Sequence, residues 1–177
     1  MRSATVFLLV VFWVTNIWAE ANGGYDYPFD DTFVATVVGT PSSYRAELPD
    51  KIPLKRDSLV IFEDREVPEI FWYSDEFQYS YALQNVPAPL VFIIAGTGGS
   101  HAGDTTQMLA RALYQAGFHI VALSSPTFEN FIVSASRTSI PGHAFGDAED
   151  LYRAMEHIWG ELEAKAEVTD FYLTGYS

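Results

Sequence analysis

Two short stretches carry residue types from which a reaction could be built. One is Phe171-Tyr172-Leu173-Thr174-Gly175-Tyr176-Ser177, a β-type run followed by Gly-x-Ser, which sets a serine hydroxyl where a strand turns. The other is Ala95-Gly96-Thr97-Gly98-Gly99, a glycine-rich segment directly after the apolar run Leu90-Val91-Phe92-Ile93-Ile94. A serine at a strand end attacks a carbonyl carbon once an adjacent base takes its proton. The negative charge that then builds on oxygen is held by preorganised backbone N–H groups, each worth about 3 kcal/mol. Glycines allow backbone to approach a substrate that closely. Gly98-Gly99-Ser100 is a second Gly-x-Ser. Ser100 lies several residues past Ile94, however, and would have to draw Asp150 and His157 from a single helix to complete a triad. Ser177 is the preferred nucleophile.

These residues need elements to position them. Leu90 to Ile94 is a continuous apolar run bounded by Pro89 and Gly96, as expected of a strand covered on both faces. A helix follows, with Asp104 and Gln107 at capping-box spacing and Met108, Leu109, Ala112, Leu113 and Ala116 as its apolar face; Gly117 ends it. Phe118 to Leu123 reads as the next strand. After a long connection containing Pro141-Gly142-His143, a second helix opens at Asp147, with Leu151, Met155, Ile158 and Leu162 at helical spacing and Glu149 and Asp150 favoured by its N-terminal dipole. Val168 to Thr174 is the strand that delivers Ser177. This strand-helix-strand-helix-strand order predicts parallel pairing through crossovers. Upstream, the runs Leu59-Val60-Ile61-Phe62 and Glu69-Ile70-Phe71-Trp72-Tyr73 precede Phe77 to Leu83, whose alternation predicts a half-buried antiparallel strand.

The histidines read mostly as structural. His119 starts a strand, His157 flanks an apolar stripe, His143 sits in a Gly-Pro loop, and His101 follows the glycine loop in a solvated or pocket-lining position. No pair has His-x-x-x-His spacing, so no metal site is expected. A dinucleotide fingerprint would want glycine at 101 and an acid where Ser124 and Ser125 stand. No Gly-Lys-Ser or Gly-Lys-Thr is present for a P-loop, and no cofactor is expected. Phe128, Phe131 and Phe145 in the long connection are candidates to line an apolar substrate pocket or to anchor the loop.

Composition narrows the partners. A net charge of -13 with only 10 Lys and Arg excludes phosphate-backbone binding, so nucleic acid is not an expected partner. Cysteine is absent, which removes disulfides and thiolate chemistry. Arg2 precedes an apolar run from Ala4 to Val14, and small residues at Ala19 and Ala21 suit signal-peptidase cleavage. Residues 1–21 are read as a secretory signal, giving a secreted or periplasmic protein whose membrane contact is through that segment alone. Residues 22–57 form an extended arm, and 58–177 the main domain.

The order of elements over 58–177 resembles the first half of the α/β-hydrolase fold, which ends at the nucleophile elbow, a Gly-x-Ser-x-Gly turn. The resemblance is carried by Ala95-Gly96-Thr97-Gly98-Gly99 after the first parallel strand, Pro141-Gly142-His143 after the second and Thr174-Gly175-Tyr176-Ser177 after the third. Ala95 stands where the family often has His, and Ala144 where Gly follows the second His. The implied fold is α/β: antiparallel strands leading into a parallel βαβαβ sheet, a truncated three-layer α/β-hydrolase core. The resemblance implies Ser177 as the nucleophile of an acyl-enzyme mechanism and the amide of Thr97, with Gly98 next, as oxyanion donor. A second donor would come from the residue after Ser177. The acid and histidine are expected beyond residue 177, so this piece is expected to be inactive by itself. The complete protein is expected to be an exported serine hydrolase, esterase or lipase-like with peptidase next, acting on a small-molecule ester or amide. The alternative is a non-catalytic secreted binding or structural domain on the same scaffold.

Overall fold

The computed structural model describes residues 29–34 and 46–177. By contacts the chain divides into two units, Met1–Ala46 and Glu47–Ser177. The leader read in residues 1–21 lies outside the described residues, as do residues 22–28 and 35–45 of the arm. In the first unit, residues 32–34 form a helical turn. The Asp31 carboxylate starts it by accepting the amides of Phe33 and Val34, each at 2.9 Å, as a short acidic side chain does at a helix N-terminus.

The second unit is built on one sheet. In chain order it comprises β1 (Lys55–Leu59), a 3-10 helix (Glu69–Ser74), β2 (Phe77–Ala82), β3 (Ala88–Ile94), α1 (Asp104–Gln115), β4 (His119–Leu123), α2 (Glu129–Ser134), α3 (Ala144–Leu162) and β5 (Val168–Gly175). The strands lie in the order β1-β2-β4-β3-β5. β1 with β2 and β2 with β4 run antiparallel, whereas β4, β3 and β5 run parallel. This is a mixed five-stranded α/β sheet.

Side-chain alternation along β3 and β4 divides the core. Leu90, Phe92, Val121 and Leu123 point to one face, where Phe77, Phe131, Ala154, Ile158 and Leu162 join them from β2, α2 and α3. Val91, Ile93, Ile120 and Ala122 point to the other, against Leu109, Ala110 and Leu113 of α1. Each large side chain buried this way contributes roughly 2 kcal/mol. Phe77 and Phe131 meet edge to face at 5.5 Å, which ties α2 to β2.

Several local expectations are corrected. The first strand is the polar Lys55–Leu59, which ends where the apolar run Leu59 to Phe62 begins; an exposed edge strand carries no apolar signature. Glu69 to Tyr73 is 3-10 helix, entered through Pro68, whose fixed φ suits a helix start. α1 has Gly103 at its N-cap with no side-chain cap bond, and Gln107 Nε2 donates instead to the His101 carbonyl, so the capping box is not made. Met108 is half exposed; the buried face runs through Thr106 and Ala110. α3 starts three residues before Asp147, capped by His143, whose Nδ1 accepts the Gly146 amide. β2 is buried along nearly its whole length because strands flank it on both sides.

Candidate functional site

The parallel register sets the site. Gly175 pairs with Ile94, so the residues after β3 and those after β5 leave adjacent strands at the same end of the sheet. Chain direction also reverses here: from β3 the chain passes over α1 to β4 on one side, then over α3 to β5 on the other. α1 and α3 cover opposite faces. A crevice outside the carboxyl ends of strands at such a switch point is where open α/β sheets hold their ligands. The glycine loop and Ser177 both lie at that end of the sheet.

The loop is a tight turn. The Gly99 amide donates to the Gly96 carbonyl at 2.7 Å, and Gly98 sits at φ 70°, the left-handed conformation that the third position of a type II turn requires. The Gly99 carbonyl accepts the Ser125 amide at 3.0 Å and Ser124 Oγ accepts the His101 amide at 3.0 Å, so the end of β4 holds the loop in place.

On the other side the loop meets Tyr176. A methyl group at Gly96 would stand 2.9 Å from Tyr176 Cε2 and 3.0 Å from its carbonyl oxygen. The Tyr176 hydroxyl lies 2.8 Å from Thr106 Oγ1, and that hydroxyl donates to the Ser100 carbonyl at 3.0 Å. The residue before Ser177 is therefore stacked on the glycine turn and tied to its far end. No sequence pattern marks this contact: a tyrosine and a threonine far apart in the chain have no local signature.

The two candidate oxyanion donors differ. The Gly98 amide donates to Thr127 Oγ1 at 2.7 Å and is already engaged. Thr97 is exposed at the tip of the turn, and among the described residues nothing accepts its amide. Ser177 is exposed. Among the described residues Ser139 is the only non-glycine at positive φ. No described histidine or carboxylate hydrogen-bonds to Ser177.

The remaining candidates lie elsewhere. Ser100 Oγ accepts the Ala102 amide at 3.1 Å. The acid it would need, Asp150, is buried and accepts from Arg137 Nε at 2.6 Å and Arg153 at 3.4 Å. His143 caps α3. His119 is fully buried; its Nδ1 accepts the Gln84 amide at 3.0 Å, which leaves Nε2 to donate to the Glu167 carbonyl at 3.1 Å. His101 is not solvated: it is 6% exposed, with Nδ1 2.7 Å from Ser80 Oγ. Burial, and then the Arg56 charge, lower its pKa to about 4, so the ring is neutral at pH 7. Of the three phenylalanines, Phe131 is core and Phe145 is exposed; Phe128 lines a polar cavity with Arg56, Ser58, Ser100 and His101. Among the described residues no three His, Asp or Glu are grouped to hold a metal ion, and no helix is long and apolar enough to cross a membrane.

Neither a protein-family model nor a curated protein sequence matches this chain.

Proposed function

We propose that this chain carries the nucleophile-bearing part of an exported serine hydrolase of the α/β-hydrolase type. Ser177 attacks the carbonyl of a small-molecule ester or amide, and the Thr97 amide receives the oxyanion. The observation that carries this reading is the seating of Tyr176 on Gly96, which joins the end of β5 to the glycine turn at the switch point of the sheet. The strand order, with β2 antiparallel and β4-β3-β5 parallel, also agrees with the first half of that fold. Of the two amides considered, the engagement of Gly98 by Thr127 favours Thr97. The leader read in residues 1–21 supports export.

A serine hydroxyl without a base is a weak nucleophile, and among the described residues none bonds Ser177. On this reading Ser177 acts only where an acid and a histidine stand against it, and no described histidine or carboxylate bonds it. The same observation favours a second reading, a non-catalytic binding domain on this scaffold. Hydrolysis of p-nitrophenyl esters by the folded protein separates the two. The enzyme reading expects turnover that falls roughly 10⁴-fold or more in Ser177→Ala; turnover unchanged by that substitution, or none in the folded protein, contradicts it.

A further inference from the structure

Thr127 faces two ways: its hydroxyl accepts the Gly98 amide, and it forms part of the wall of a cavity of about 620 Å³ between the 3-10 helix and α2. Pockets that hold small molecules run from about 300 to 1,000 Å³. The apolar wall comes from Pro68 and Phe71 on one side and Ile132 and Val133 on the other. Through Thr127 this cavity adjoins the glycine turn, on which Tyr176, the residue before Ser177, is seated.

The charged groups on its rim decide what it accepts. Arg65 donates to the carbonyls of Val133 at 2.6 Å and Ser136 at 2.5 Å, at the end of α2, and lies over the Phe62 ring at 4.3 Å. Arg137 is held by Glu149 and Asp150. Both cations are therefore committed within the protein. Glu129 accepts from Ser74 Oγ at 3.0 Å, and Glu66 adds a second carboxylate. An anion entering here meets two carboxylates, and the two arginines among the described lining residues are already engaged, whereas a neutral apolar group meets one aromatic ring and two β-branched side chains.

We propose that this cavity binds the uncharged, compact apolar substituent of the substrate, an aryl or branched alkyl group, and rejects anionic ones; the assignment to a substrate rests on the reading of Ser177 given above. The test is a binding titration of the full chain with acetophenone, a neutral aryl ketone that cannot be hydrolysed, and with benzoate, its anionic counterpart, followed by the methyl signals of Ile132 and Val133. Acetophenone is expected to shift both methyls, benzoate to bind at least ten-fold more weakly, and Ile132→Trp to weaken acetophenone ten-fold or more. Should Ile132→Trp fail to fold, Ile132→Ala serves instead and must raise the affinity for 2-acetonaphthone relative to acetophenone. Benzoate binding as tight as acetophenone, no shift at Ile132 and Val133, or an unchanged preference in the variant overturns the proposal. Ester hydrolysis without binding at these methyls removes the cavity and leaves the enzyme; binding there without hydrolysis of any ester removes the enzyme and leaves the cavity.

Discussion

The Tyr176 hydroxyl and Thr106 Oγ1 stand 2.8 Å apart although 70 residues separate them in the chain. Thr106 is fully buried one turn into α1, so its hydroxyl has no water to turn to. Tyr176→Phe should cost about 1 kcal/mol, the usual net worth of a hydrogen bond. Combined with Thr106→Val in a double-mutant cycle, the two losses should be non-additive by a similar amount. Denaturant unfolding of the four proteins measures it.

Gly96 and Gly98 are required for different reasons. At Gly96 there is no room: a methyl group meets the ring and carbonyl of Tyr176 at 2.9 to 3.0 Å. Gly96→Ala should cost about 1–3 kcal/mol as an overpacked site, and Tyr176→Ala should relieve only the ring's share. At Gly98 nothing lies within 4 Å, but φ is 70°. Gly98→Ala should cost about 1 kcal/mol of backbone strain alone, with no relief from Tyr176→Ala. Thermal or denaturant melts of the single and double variants distinguish the two.

Acid should weaken the fold through His101. Its pKa is about 4 in the folded protein against 6.5 for the free group, because burial and Arg56 disfavour the imidazolium. Between those values the unfolded chain binds the extra proton, so stability rises with pH there. The contribution is complete above about pH 6.5 and lost progressively as pH falls toward 4, on the order of 3 kcal/mol in all. His101→Gln should flatten the stability profile over that window, read from denaturant midpoints at stepped pH.

The two edges of the sheet are unlike. β1 offers Lys55, Arg56 and Asp57, the charged kind of edge that resists pairing, whereas β5 leaves Phe171, Tyr172 and Leu173 each more than half exposed. The 177-residue chain is therefore expected to self-associate through β5. Leu173→Lys should shift it toward monomer in sedimentation velocity, and a charge added on β1 should change nothing.

Much of the scaffold could be read from the sequence because it rests on local patterns. The unbroken apolar run at Leu90 to Ile94 is what a strand covered on both faces needs, and the helical spacing on either side of Phe118 to Leu123 implied parallel pairing through crossovers. What could not be read follows from contacts with no local signature. The polar strand Lys55–Leu59 owes its existence to its pairing with β2. The helix Glu129–Ser134 is too short for a periodic pattern and is fixed by Phe131 against Phe77. At the site, Gly96 to Gly99 and Gly175 to Ser177 were each legible by composition. Their ties through Tyr176, Thr106 and Thr127 were not, nor was the burial of His101 against Ser80.

In the proposed function Ser177 is the nucleophile beside the glycine turn. Labelling of the folded protein with a fluorophosphonate, followed by peptide mass spectrometry, tests it most directly. One phosphonylated residue, Ser177, is expected, with no label in Ser177→Ala. Label on Ser100, or none on the folded protein, would contradict it.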